Sequence, residues 1–182
     1  METDIYLLDS RNRLLLTFMK LTNNASYTLL SVLFNVSRNT CARYFEKIVF
    51  ILRRLLENFI RWPSKSAVIQ NLPKCFARFQ GTRIVVDASE IPVRKIQCPK
   101  CGLQMFSHYK KRHTLKFEVF MTPDGYIAQL SSFYGGKASD KHIFNASDVV
   151  YLCEEDDAVM VDKGIRIATE CNEHCLEVIQ PP

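Results

Sequence analysis

Apolar positions follow two different rhythms along the chain. Up to about Ile60 they recur every three or four residues; beyond Gly81 they alternate or gather in short blocks. In the first part, Leu7, Leu8, Leu14, Leu15, Phe18 and Leu21 mark a helix that Asp9 or Ser10 can cap. A second short helix fits residues 26–34. Asn35-Val36-Ser37 reads as a tight turn, with Ser37 capping a third helix that starts at Arg38. That helix is expected to run to about Ile60, where Trp62-Pro63-Ser64 stops it. Leu29, Leu33, Val36, Ala42 and Phe45 are the residues expected to hold the second and third helices together.

The second part reads as strands. Residues 82–87 form a β-branched run closing on Asp87, and residues 114–121 alternate. Thr122-Pro123-Asp124-Gly125 is a hairpin turn, after which residues 126–134 return as a partner strand. Ser139 can cap a helix reaching Ser147. Residues 158–162 repeat the pattern of an apolar strand ending in an acid, here Asp162. A helix over 167–175 and a last strand over 176–179 complete the order. The pattern thus predicts a helical module over residues 1–72, a linker over 73–81, and an α/β domain over 82–182.

Charge sharpens this division. The 182-residue chain carries a net charge of +5, but residues 1–81 hold a net +7 and residues 82–182 a net −2. A basic front and an acid-bearing back suit a protein that grips DNA with one part and holds cations with the other. Seven scattered cysteines argue against a disulfide framework and for a reducing compartment. Neither a leader peptide nor a membrane span is expected: Arg53 and Arg54 break the most apolar stretch.

Three groups of residues carry candidate chemistry. Asp87 and Asp162 each close an apolar strand, and on neighbouring strands their carboxylates would converge. Oxygen ligands of that kind suit Mg²⁺ or Mn²⁺, and a metal pair promotes phosphodiester attack. The other reading of these residues is two acids at strand ends facing solvent. Glu90, three residues on, is a weaker candidate ligand, because a strand continuing past Asp87 would turn it away. Asp140 is read as a first-turn carboxylate facing a helix dipole. Next, residues 26–43 have the spacing of a helix-turn-helix, which would present Arg38, Asn39, Thr40 and Arg43 to a major groove. An ordinary helical hairpin with a basic solvated face is the alternative. Finally, Cys98, Cys101, His108 and His113 are spaced as a candidate zinc site, with Cys171, His174 and Cys175 as further candidates. The same segment is rich in Lys and Arg. Lys110, Lys111 and Arg112 lie where a basic run could follow a DNA backbone, as Arg94, Lys95, Lys100 and Lys116 could too.

The order of acids and elements resembles the opening of an RNase H-like fold. Residues 86–91, Tyr109-Lys110 with Thr114 to Phe117, Gly135 to Ile143, Val161 to Gly164, and the closing run to Pro181-Pro182 resemble the DDE-superfamily endonucleases of Harbinger-type transposons. That resemblance covers most of residues 62–182. A helix-turn-helix followed by Trp62-Pro63-Ser64 is also found in that family. The resemblance implies that Asp87 and Asp162 are the first and second catalytic carboxylates. It further implies a third acid downstream of the proline pair; Glu170 and Glu173 come too early to serve. The chain is therefore expected to be a truncated transposase, with an incomplete RNase H-like domain and a mixed sheet behind its helical module. The expected activity is metal-dependent cleavage and strand transfer at transposon ends, weak or absent in this piece. The expected partner is double-stranded DNA, with self-association as a further expectation, in a nuclear or nucleo-cytoplasmic setting. A non-enzymatic DNA-binding protein derived from a transposase is the rival reading.

Overall fold

Hydrogen bonds from backbone amides to side-chain oxygens decide where the first helices begin. In a computed structural model that describes residues 8–181, the Asp9 carboxylate accepts from the Asn12 N–H at 2.8 Å. Ser26 accepts from Leu29 and Ser37 from Thr40, each at 3.1 Å. These caps open α1 (Ser10–Asn23), α2 (Tyr27–Phe34) and α3 (Arg38–Leu56). Asn24 and Asn35 end the first two helices in left-handed backbone geometry, which Asn tolerates better than most residues. One tighter turn over Glu57–Phe59 follows α3.

The inward faces of these helices differ from the sequence expectation. Leu16, Ala25, Leu30 and Cys41 form the buried centre, ringed by Leu8, Met19, Tyr27, Phe34, Val36 and Phe45. Leu29 and Leu33 are instead 50% and 56% exposed, and Leu15, Phe18 and Leu21 point outward on α1. The cap at Ser26 sets the phase: Tyr27, Leu30 and Phe34 then share the inward face, and Leu29 and Leu33 do not. Leu7 lies outside the described residues.

The chain divides at Phe59/Ile60, earlier than the expected linker over 73–81. Residues after Phe59 pack with the sheet. Arg83, only 3% exposed, donates to the Pro63 carbonyl at 2.5 Å and stacks over the Trp62 ring at 5.4 Å. Buried Asp157 pairs with Arg83 at 3.2 Å and with Lys65 at 2.8 Å. Ser64 caps a helix absent from the sequence reading, α4 (Lys65–Gln70).

The second unit is built on a mixed sheet: β1 (Thr82–Pro92), β2 (Phe106–Ser107), β3 (Arg112–Met121), β4 (Ile127–Leu130), β5 (Tyr134–Gly135), β6 (Ala158–Val161) and β7 (Glu177–Ile179). Its order is β2-β3-β1-β6-β7, with β4 and β5 also on β3. The β1–β3 pair is antiparallel, whereas β6 and β7 run parallel to β1. This order and these directions are those of an incomplete RNase H-like domain. The expected strand over 126–134 is broken after Leu130, where the Ser131 hydroxyl takes the hydrogen bond of the Glu118 N–H. The short helices α5 (Pro99–Met105), α6 (Asp140–Asn145) and α7 (Ala168–Glu173) complete the unit. α6 begins at its expected Ser139 cap.

Strand alternation gives the sheet two unlike faces. Ile84, Val86, Phe120, Val159 and Val161 meet Phe144 of α6 and Cys171 of α7 in the main core. Val85, Met160 and Ile179, aligned across three strands, lie half-buried on the other face. Next to the core, Glu118 is fully buried and neither carboxylate oxygen has a hydrogen-bond partner. Loss of hydration, reinforced by the charge of Asp140 and opposed by Lys116, pushes its pKa up to about 8. The unfolded chain releases this proton near the ordinary carboxylate value while the folded chain keeps it. Stability should therefore fall as pH rises from about 4.5 to about 8. The Glu118→Gln variant should flatten that fall and be more stable near pH 8, on the order of 2 kcal/mol. Urea unfolding of both proteins across this pH range measures it; parallel curves would show that Glu118 ionises normally.

Candidate active site and nucleic-acid surfaces

β1 keeps its antiparallel partner through Pro92↔Thr114 but loses its parallel one after Val86↔Val161. Beyond Val161 the chain turns sharply: the Ile165 N–H donates to the Asp162 carbonyl at 3.0 Å, and the Lys163 N–H to its carboxylate at 2.7 Å. Asp87 and Asp162 are thus the next residues after the last paired positions, at a fork between two strands. Val86 and Val161 point into the core, so both acids point to the opposite face. Neighbouring strands lie about 4.8 Å apart, and both carboxylates are exposed. They line one cavity of about 440 Å³ with Phe79, Val85, Met160 and Ile179. Asp87 lies within β1 and not at its end, as the sequence pattern implied; only the pairing with β6 ends there.

The other acids lie elsewhere. Glu90 is an odd number of residues from Asp87 and so faces the other side. There it accepts from Thr114 Oγ1 at 2.7 Å and from Ser107 Oγ at 3.1 Å, which corrects its candidacy as a ligand beside Asp87. Asp140 does open α6, but its carboxylate is also held by Lys116 at 2.6 Å. Glu170 pairs with Lys141 at 2.6 Å, and that bond holds its carboxyl below the usual range. The group of buried Glu118 with half-buried Lys116 and Asp140 was missed by sequence reasoning. A polar alternation, Lys116 and Glu118 on the Phe120 face of β3, was the available signal.

On the helical module, Arg38, Asn39 and Arg43 are exposed along the first turns of α3. Thr40 departs from its expected role: it is half-buried and its hydroxyl bonds that of Ser37 at 2.9 Å, so it serves the cap. Lys110, Lys111 and Arg112 are all exposed at the β2–β3 turn, where Lys111 takes a left-handed conformation and Lys110 lies over Tyr109. Lys116, by contrast, is turned inward to Asp140.

The expected zinc set does not assemble: no three Cys, His, Asp or Glu side chains gather among the described residues. Cys98 and Cys101 lie exposed at the start of α5, while His108 and His113 each pack edge-on against Phe106 at 5.5 Å. Of the further candidates, Cys171 is buried and His174 packs on Tyr151. No described helix is long and apolar enough to cross a membrane.

Residues 86–178, half of the chain, match the family described as DDE superfamily endonuclease. The chain belongs to that family. Residues 7–58 match the helix-turn-helix of DDE superfamily endonuclease, so the helical module is the family's own. No curated protein and no solved structure matches. The domains point to transposase-type DNA cleavage in general, and endonucleases of this superfamily generally use divalent metals. The lining of the Asp87–Asp162 cavity fits such ions, offering carboxylate oxygens and neither thiolate nor imidazole. Two like charges in register on adjacent strands also repel. Asp87→Asn should raise stability by about 0.5 kcal/mol at low salt without divalent cations, and by less at high salt. Urea midpoints at two ionic strengths test this; a destabilised variant at low salt would mean the carboxylates do not face each other.

Proposed function

We propose that this chain carries DNA-recognition and catalytic residues of a transposase that cuts and joins DNA at transposon ends. The juxtaposition of Asp87 and Asp162 at the strand fork carries the reading. In it, Asp87 and Asp162 hold Mg²⁺ or Mn²⁺. Bound metal supplies an activated water or 3′-hydroxyl and steadies the leaving oxygen. Arg38, Asn39 and Arg43 read a major groove, and Lys110, Lys111 and Arg112 follow the phosphates. Harbinger-type ancestry and a nuclear setting belong to the same proposal.

DNA binding should weaken steeply as salt rises, because phosphate contacts release counterions. Arg38→Ala with Arg43→Ala should lower affinity roughly tenfold or more and blunt sequence preference. Fluorescence anisotropy with duplexes at several salt concentrations measures both effects. Affinity indifferent to salt and to the double change would remove the helix-turn-helix from the reading.

Residues 1–182 bring two carboxylates to the fork; Glu90, Asp140 and Glu170 are engaged elsewhere. That observation favours a second reading, in which these residues bind DNA without cutting it. The 182-residue chain should leave supercoiled DNA intact in Mn²⁺, while still showing Asp87-dependent Mn²⁺ binding by paramagnetic line broadening. Nicking that disappears in Asp87→Ala would show that two acids suffice. Absence of broadening near both acids would argue against the metal site.

A further inference from the structure

We propose that Tyr109, in the turn joining β2 to β3, stacks on an unpaired base at a DNA strand end. The contact rests on the DNA-cutting reading and deepens it: the turn would hold strand ends as well as follow phosphates. Tyr109 is 82% exposed, more than any other large apolar or aromatic side chain among the described residues. Its surroundings also differ from those of other exposed rings. Phe133 packs on Phe117 and Tyr151 on His174. Tyr109 is instead followed by Lys110, Lys111 and Arg112, all exposed. The Lys110 ammonium lies 4.6 Å from the centre of its ring. No acid occurs in the sequence between Glu90 and Glu118, so nothing in this segment repels a phosphate chain.

Hydrogen bonds fix the turn that carries this ring. Ser107 is buried; its hydroxyl donates to the Glu90 carboxylate at 3.1 Å and accepts the Lys110 N–H at 3.1 Å. Ser107 pairs with Arg112 across the strands, and Lys111 closes the turn in left-handed geometry. A ring presented on an ordered backbone loses little conformational freedom when it makes a contact. The anchor also ties the turn to the candidate active site. Glu90 stands three residues beyond Asp87 on β1, about 10 Å along the strand. Tyr109 is two residues past Ser107, so it lies on the order of 20 Å from Asp87.

The chemistry of the ring selects the state of the DNA. A phenol ring stacks only on a base plane that is open. Inside a duplex both planes are covered by neighbouring pairs, and exposing one carries an unstacking cost. A strand end offers an open plane without that cost. Cutting DNA produces such ends, and joining consumes a free 3′ end. One ring for a base, with cations beside it for the neighbouring phosphates, is the combination that holds unpaired strands without sequence preference.

The test uses the 182-residue chain and duplexes of one sequence, either blunt or with a short 3′ overhang of DNA or RNA. The DNA overhang should bind at least roughly fivefold more tightly than the blunt duplex. Tyr109→Ala should abolish that preference, whereas Tyr109→Phe, which keeps the ring, should retain it. Arg38→Ala with Arg43→Ala should weaken all the duplexes alike and leave their ratio unchanged, so a failure of the helix-turn-helix shows separately. On irradiation, 5-iodouracil in the overhang crosslinks to an aromatic ring stacked on it, and peptide mass mapping should place that crosslink on Tyr109. A preference that survives Tyr109→Ala, equal binding of blunt and overhanging DNA, or a crosslink on another residue would overturn the proposal. Tighter binding of the RNA overhang than of the DNA one would overturn its assignment to DNA.

Discussion

Strand β1 has two neighbours of opposite direction, and their unequal lengths govern the second unit. Its antiparallel ladder with β3 spans the full strand, whereas its parallel ladder with β6 ends at Val86↔Val161. A parallel strand cannot return through a tight turn, so β6 has to be delivered by a long crossover. Here that crossover contains α6, which lays Phe144 against Phe120 and the core face of the sheet. Where β6 turns away, two acids are left side by side. The candidate site therefore lies where the parallel pairing stops, the place where sites generally form in sheets with parallel strands.

Buried polar groups hold this sheet to its surroundings. Asp157 joins Lys65 and Arg83, and Arg83 in turn holds the Pro63 carbonyl and lies over Trp62. The segment after the helical module is thereby anchored to the start of β1 and the start of β6. Removing one member would leave a charge buried without its counter-charge, which is far costlier than losing an exposed ion pair. Glu118 is the opposite case: a buried acid kept neutral by its own desolvation, near the ion pair of Lys116 and Asp140. Lys116 is thus committed to the interior, leaving the β2–β3 turn to supply the exposed cations.

The matches put a DDE superfamily endonuclease domain and that family's helix-turn-helix in one chain. The two parts draw on different physics. On α3, Arg38, Asn39 and Arg43 are solvated and carry little structural burden, so they are free to meet a groove. At the strand fork, backbone pairing fixes the positions of Asp87 and Asp162, and no rearrangement is needed to bring them together.

What the sequence determined by itself was local. Ser26, Ser37 and Ser139 bond amides three residues away, so their caps were legible without any knowledge of the fold. The change in apolar rhythm likewise marked helices before Gly81 and strands after it, and two apolar runs marked Asp87 and Asp162. Tertiary structure decided what depends on distant partners. Leu29 and Leu30 are both apolar, yet only packing against α1 and α3 buries Leu30 and leaves Leu29 in solvent. Glu90 is set against Ser107 and Thr114, 17 and 24 residues away, and Arg83 against Asp157 across most of the domain. Even the end of a strand proved relative, since β1 ends at Val86 for β6 but at Pro92 for β3. Periodicity records which residues avoid water; which neighbour they meet is fixed only when the chain closes on itself.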